Sequence, residues 1–442
     1  MSSPAELPRQ LRLIDAVAIV AGTIIGSGIF LVPNLVARNL DSTPLILGAW
    51  IFTGVLSFFG ALAYAELGAM FPATGGQYVY LREIYGPLWA FLCGWAYFFV
   101  ILSASVAWLG IVFANYLAYF IPLTPVIAKF AAVALIVAVT MVNYRGVTAG
   151  ATVQKLFTAI KLAGLLALIA SAFISGAKAA PSPASGTFSM AHFGVAMIAC
   201  VLSYDGWVAL SFIAGEIRNP KRNLLLALML GLGTVIVAYV LANVAYLRVL
   251  SIPEIAAADR VGALVAERTM GHAGGAFLAA VILISISGSM NGWTMTAPRI
   301  FFAQARDGMF LPIFGRIHPR YRTPHISIAL FGAWSVLLTL TGTYETLASY
   351  AMYAAWIFYG LTSAGVIVLR LRRPDLARPY RMWGYPATLL LFLAVAVAFV
   401  LNTLIATPGP AIAGTLLIAA GAPVYFIWGR AKTMPGIRSQ SK

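Results

Sequence analysis

Apolar residues run along this chain in blocks of about twenty, the length an α-helix needs to cross a bilayer, separated by short polar stretches that carry Gly and Pro. Scanning at that length predicts about twelve spans, near 13–37, 44–70, 85–119, 124–143, 153–175, 193–215, 224–250, 273–303, 325–342, 347–370, 384–404 and 410–428. Inside lipid only helices or closed barrels satisfy the backbone, so the blocks read as helices. The expected fold is an all-α integral membrane protein. It forms a single polytopic domain over 1–442, with spans 1–6 in 13–215 and spans 7–12 in 224–428, and no inserted soluble domain.

Two blocks are interrupted in the middle. The first holds Gly26-Ser27-Gly28, which a rise of 1.5 Å per residue from Leu13 places roughly 20 Å along the helix. Two glycines around a serine weaken helix propensity there. The sixth holds Ser203-Tyr204-Asp205-Gly206-Trp207, again polar and Gly-bearing at mid-span. Spans 1 and 6 correspond if ten helices form two repeats of five. Paired interruptions in corresponding segments point to a transporter with inverted repeats and a midplane site. An unwound stretch presents bare N–H groups that suit a carboxylate and bare C=O groups that suit an ammonium. A zwitterionic α-amino acid needs both within a few ångströms. The competing reading is that Gly26 and Gly28 only let helices pack closely.

Composition supports the membrane assignment. The chain is 61% hydrophobic and 10% charged, against about 25% charged for soluble domains. That excludes a cytosolic enzyme, a nucleic-acid-binding module and a disordered scaffold. A net charge of +16 raises the question of nucleic acid, but the positions of the charges answer it. With both termini cytoplasmic, all but seven of the 29 Lys and Arg fall on the inner side, as topology requires. Those inside include a cluster from Arg299 to Arg322, another from Arg370 to Arg381, and the tail. Arg38, Lys178, Arg248, Arg260 and Arg268 are placed outside, and Lys129 and Lys161 within spans. The N-terminus lacks the features of a cleaved signal peptide. Localisation in the cell membrane is expected, with lipid but no nucleic acid as partner. Cys93 and Cys200 both sit in apolar runs and imply no disulfide framework.

Asp205 is the one acidic residue at mid-span, and Lys161 lies about eight residues into span 5. Charge at a helix centre costs about 2.5–3.5 kcal/mol on insertion scales, so each needs a partner or a cavity. One reading pairs them as a buried ion pair; the other has Lys161 support the broken first helix while Asp205 lines a substrate cavity.

Five ordered blocks give these residues a family likeness: GTIIGSGIFLVP, AYAELGAMFPATGGQYVYLREIYGPLWAFL, VNYRGVTAGATVQKLFTAIKLAG, SYDGWVALSFIAGEIRNPKRNLLLA and SGSMNGWTMTAPRIFFAQARDGMFLP. They resemble the amino acid–polyamine–organocation superfamily, specifically its L-type amino-acid transporter branch and presumed prokaryotic members of it, most strongly over residues 12–325. The resemblance implies a LeuT-like fold of twelve helices with a core of two inverted five-helix repeats, and transport without an enzyme reaction. It places the substrate carboxylate at the amides of Gly26, Ser27 and Gly28. It places the α-ammonium at carbonyls near Thr23 and Ile24 and near Leu202 and Ser203. Leu202 matches a position where relatives often carry a bulky aromatic gate.

The same resemblance sets Lys161 where sodium-coupled proteins of this fold hold Na⁺. Its ammonium would donate to the first span near Gly22 and to the eighth at Ser287 or Ser289. Sodium-independent exchange of neutral and cationic amino acids is the implied function, with proton-coupled symport and polyamine or amine transport through Asp205 as alternatives. Some relatives that accept dibasic amino acids carry aspartate at the position of Asp205; alternatively its side chain caps the broken sixth helix. Mammalian members tether a partner glycoprotein through a cysteine between spans 3 and 4. The loop near Ile121–Val126 has none, so no disulfide-linked heavy subunit is expected.

No cofactor or metal is implied. His192, His272, His318 and His325 lie in loops or at span edges without HExxH spacing or a nucleophile elbow, and no filter motif suggests a channel. Alternating access is the expected mechanism, spans 1, 2, 6 and 7 moving against spans 3, 4, 8 and 9.

Overall fold

The computed structural model describes residues 6–180, 189–342 and 344–429, and of residues 344–350 and 428–429 the backbone alone. The tail cations assigned to the inner side, from Arg430 onward, lie outside the described residues. Among these residues the regular structure is helical, and an isolated parallel bridge joins Leu11 to Ile217.

Among the described residues, eleven helices are long and apolar enough to cross a membrane. Spans 1 to 8 are Leu13–Leu31, Thr43–Met70, Pro87–Leu117, Pro125–Tyr144, Val147–Ile174, Met190–Phe212, Pro220–Val249 and His272–Arg306. Span 9, His325–Thr341, has 17 residues and is the short one. Span 10 is the helix Tyr344–Arg372, followed by Ala387–Ala406 and Pro408–Ile427. Each begins or ends within a few residues of the sequence expectation. Pro44, Pro87, Pro125, Pro220 and Pro408 sit in the first turns of their helices, where a missing N–H costs nothing and φ is already helical.

The spans differ in how far they are enclosed. Spans 1, 3, 6 and 8 are mostly buried, whereas spans 4, 11 and 12 present most of their surface outward. Span 4 still anchors the core through one polar ladder. Asn143 Nδ2 donates to Asn291 Oδ1 at 2.9 Å, and Asn291 Nδ2 donates to Gln154 Oε1 at 2.7 Å and to the Gly150 carbonyl at 3.1 Å. Spans 4, 5 and 8 are thereby cross-linked by buried side-chain amides.

Three local features were not foreseen. The stretch between spans 7 and 8 folds into two short helices, Ile252–Ala257 and Val261–Met270. Span 3 contains a π-helical turn over Tyr97–Ile101. Arg299, assigned from sequence to the inner basic cluster, is instead fully enclosed and paired with Glu216, its Nε 2.8 Å from Oε1. A buried pair like this is hidden from hydropathy, because both residues lie next to polar flanks of their spans.

Candidate functional site

Span 1 winds regularly from Leu13 to Ile24, loses its helix over Ile25–Ser27, and resumes at Gly28–Leu31 and Pro33–Ala37. Span 6 winds from Met190 to Tyr204, turns extended at Asp205, and resumes at Ala209–Phe212. Gly206 adopts φ +122°, a backbone state that L side chains avoid. The two breaks touch. A Cβ on Gly206 would lie 3.1 Å from the Thr23 carbonyl carbon, and one on Gly28 would lie 2.7 Å from Ser203 Oγ. Glycine at both positions lets one unwound backbone rest on the other.

The exposed peptide groups of span 1 divide by direction. The carbonyls of Gly22, Ile25 and Gly26 point to spans 5 and 8. Lys161 Nζ donates to Gly22 O at 2.8 Å, Ile25 O at 2.6 Å and Ser285 O at 2.9 Å. Ser285 Oγ donates to Ile25 O and Gly26 O at 3.0 and 3.1 Å, and Ser289 Oγ to Gly22 O and Ile25 O at 3.3 and 3.0 Å. Lys161 is 0% exposed, and its three donors are all used. Gly288 leaves room for it, since a Cβ there would stand 2.9 Å from Nζ.

The eighth-span partner of Lys161 is therefore Ser285, not Ser287 or Ser289. Ser285 and Ser289 are four residues apart and share a helix face, while Ser287 lies two residues round and donates to its own Leu283 carbonyl at 2.8 Å. Nor does Lys161 pair with Asp205, whose Oδ1 accepts a 2.9 Å bond from Tyr359. Asp205 thus sits at the break and lines the cavity.

On the opposite side of the break, the amides of Gly26, Ser27 and Gly28 donate no hydrogen bond among the described residues. These three residues border a cavity of about 580 Å³, within the roughly 300–1,000 Å³ usual for small-molecule sites. Thr23, Ile24, Leu202, Ser203, Asp205 and Ser289 also line it. The Ser27 and Ser203 hydroxyls are buried there without a partner, an arrangement that leaves polar capacity for a ligand. Leu202 is 43% exposed, so the position expected to gate the site holds a small side chain against open space. Thr23 offers no free donor, its hydroxyl bonding Ile19 O at 2.6 Å.

Tyr239 of span 7 was missed from sequence. Its hydroxyl lies 3.3 Å from Ile24 O and 3.1 Å from Ser203 O, bridging the two breaks. A lone Tyr in an apolar span carries no local signal of such a role. Gly22, by contrast, was found, and a Cβ there would collide with Thr158 Oγ1 at 2.2 Å; Thr158 itself donates to Ala18 O at 3.1 Å.

The cavity reaches the surface beside exposed Leu35 and Asp259. Its other end is sealed. Leu11 N donates to Glu216 O at 3.0 Å, Arg218 N to Leu11 O at 2.9 Å, and Gly75 N to Phe212 O at 2.8 Å. The Glu216–Arg299 pair lies under this seal, its side chains 0% and 1% exposed. Among the described residues, no group of His, Cys, Asp or Glu is arranged to hold a metal.

Comparison with known proteins agrees in kind. A family model described as amino acid permease matches residues 11–428. The human b(0,+)-type amino acid transporter 1 is 34% identical over 434 residues, covering 96% of this chain and 88% of its own length. A serine/threonine exchanger of Bacillus subtilis (strain 168) is 32% identical over 424 residues, covering 95% and 97%. The large neutral amino acids transporter small subunit 2 of Mus musculus is 34% identical over 442 residues, covering 95% and 81%.

Proposed function

The chain belongs to the amino acid permease family, and on that premise we propose that it is a sodium-independent antiporter of neutral and, through Asp205, cationic L-amino acids. The observation that carries this reading is the division of peptide groups at the first break. The carbonyls of Gly22 and Ile25 are occupied by a fixed ammonium, while the amides of Gly26, Ser27 and Gly28 stay bare toward the cavity. The substrate carboxylate binds those amides, with Ser27 and Ser203 beside it. The α-ammonium meets carbonyls of Thr23, Ile24, Leu202 and Ser203.

Lys161 takes the place of a coupling cation. A covalently held charge cannot enter with the substrate and leave with it, so no sodium gradient is harnessed. Ser285 and Ser289 complete the same polar knot. Transport follows alternating access in the cell membrane, with both termini cytoplasmic. The seal at Leu11, Glu216 and Phe212 then closes the inner face, and the cavity beside Asp259 opens outward. An occupied site favours reorientation over the empty one, which makes exchange obligatory. The loop near Ile121–Val126 carries no cysteine, and on that ground the carrier is proposed to work without a disulfide-linked heavy subunit. No enzyme reaction is assigned.

Counterflow tests the proposal. Proteoliposomes loaded with labelled alanine, in sodium-free buffer, should release it when neutral or cationic amino acids are added outside and hold it otherwise. Asp205→Gly should cut arginine- and lysine-stimulated release about five- to thirtyfold relative to alanine, since a carboxylate near a second ammonium, screened by local water, contributes on the order of 1–2 kcal/mol. Strict sodium dependence refutes the coupling scheme, and unaltered arginine competition in Asp205→Gly removes the cation-selecting role.

A further inference from the structure

The cavity wall carries an unusual charge for this chain. The whole sequence bears +16, yet among the described residues the only charged ones on the wall are two carboxylates, Asp205 at depth and Asp259 at the mouth. Lys161 lies behind the unwound segment, with its ammonium committed to carbonyls. Asp259 follows the short helix Ile252–Ala257, is exposed, and makes no hydrogen bond or ion pair among the described residues.

Its basic neighbours are turned aside. The Arg260 guanidinium lies over the Tyr116 ring, 5.2 Å from its centroid, in the adjoining recess that Asp259 also borders, and makes no ion pair with that carboxylate among the described residues. Arg38 Nε donates to the Ala256 carbonyl at 2.9 Å. Arg268 is held by Glu254 at 2.5 Å, an interaction that keeps the Glu254 carboxyl well below its usual range, at about 2. Glu267, of the same sign as Asp259, faces the adjoining recess. The buried, unpartnered hydroxyls of Ser27 and Ser203 on the same wall leave the cavity polar capacity for a ligand.

We propose that Asp259 is a second specificity-determining residue, one that draws cationic amino acids into the outer mouth before Asp205 receives their side-chain charge. This rests on the antiport reading. A carboxylate at the rim of a cleft with low-dielectric walls raises the local concentration of cations and their rate of entry. The effect is long-ranged and therefore salt-sensitive, with a screening length of about 30 Å at 0.01 M and less than about 10 Å above 0.1 M. Asp205, at the closed end, acts at contact and is screened much less.

The test measures initial uptake of labelled L-arginine and L-alanine into alanine-loaded phosphatidylcholine proteoliposomes, for the wild type, Asp259→Asn and Asp259→Lys. At 10 mM salt, Asp259→Asn should lower kcat/KM for arginine about three- to tenfold, Asp259→Lys should lower it further, and both deficits should shrink below about twofold at 300 mM. Alanine should change by less than about twofold at either salt. Equal losses for both substrates, or a deficit indifferent to salt, overturn the proposal, as does a wild type that exchanges alanine but takes no arginine. A wild type that exchanges no amino acid at all contradicts the antiport reading itself.

Discussion

Lys161→Met abolishes exchange, lowering its initial rate about 100-fold or more, while the protein still elutes as a monodisperse species in detergent. The ammonium satisfies the carbonyls of Gly22, Ile25 and Ser285 at once. Buried acceptors left without a donor cost about 1–3 kcal/mol each. Ser285 and Ser289 still reach Ile25 and Gly22, so the net loss is nearer 3–4 kcal/mol than the sum of three, or roughly 10²–10³ in an equilibrium. The deficit falls on the conformation of the break, because these carbonyls belong to the segment whose amides face the cavity. Lys161→Arg does not rescue it. The guanidinium is bulkier, and the Gly288 backbone already leaves no space for even a Cβ beside Nζ. Exchange within about threefold of wild type in Lys161→Met, at this packing, contradicts the assignment.

Glu216→Ala produces the largest loss of stability. Arg299 would remain 1% exposed with no counter-charge, and breaking a buried pair on one side costs about 3–5 kcal/mol. The loss is concentrated where the N-terminal segment is pinned, since the Glu216 carbonyl accepts the Leu11 amide and its neighbour Ile217 forms the bridge to Leu11. Thermal unfolding in detergent, followed by aggregation-sensitive scattering, should show a midpoint several degrees lower. The double variant Glu216→Leu with Arg299→Met should recover most of that loss, because replacing both charges by apolar groups of similar volume removes the desolvation cost together with the attraction. Single and double variants that melt alike would mean that packing volume, rather than unpaired charge, governs this end of the molecule.

The sequence was most informative where physics is local. Span positions follow from apolar length, and the twelve expected blocks correspond to eleven long helices and one of 17 residues. The breaks at Gly26–Gly28 and at Asp205–Gly206 were legible because glycine and polar residues at mid-span have few other uses. Lys161 stood out for its charge, and its target near Gly22 followed from the family resemblance.

What stayed hidden depends on helical phase or on distant contacts. Ser285, Ser287 and Ser289 are equivalent by composition, and only rotation about the helix axis separates the two that face the break from the one that bonds its own turn. Tyr239 and Tyr359 meet the breaks across large sequence separations. Arg299 looks like any other inner-face cation until Glu216 is found against it. The helices Ile252–Ala257 and Val261–Met270 were read as loop because neither is long enough to register at the span scale.

The central claim is that bare amides of an unwound first helix hold a carboxylate while carbonyls of the same cavity hold an ammonium. Equilibrium competition against labelled L-alanine on the purified protein tests it most directly. L-Alanine should displace the label, whereas L-alaninamide, which lacks the carboxylate, and L-lactate, which lacks the ammonium, should each compete at least about 100-fold more weakly, a difference of roughly 2.7 kcal/mol. Competition by L-alaninamide as effective as that by L-alanine would contradict the account, for then the amides of Gly26, Ser27 and Gly28 hold nothing.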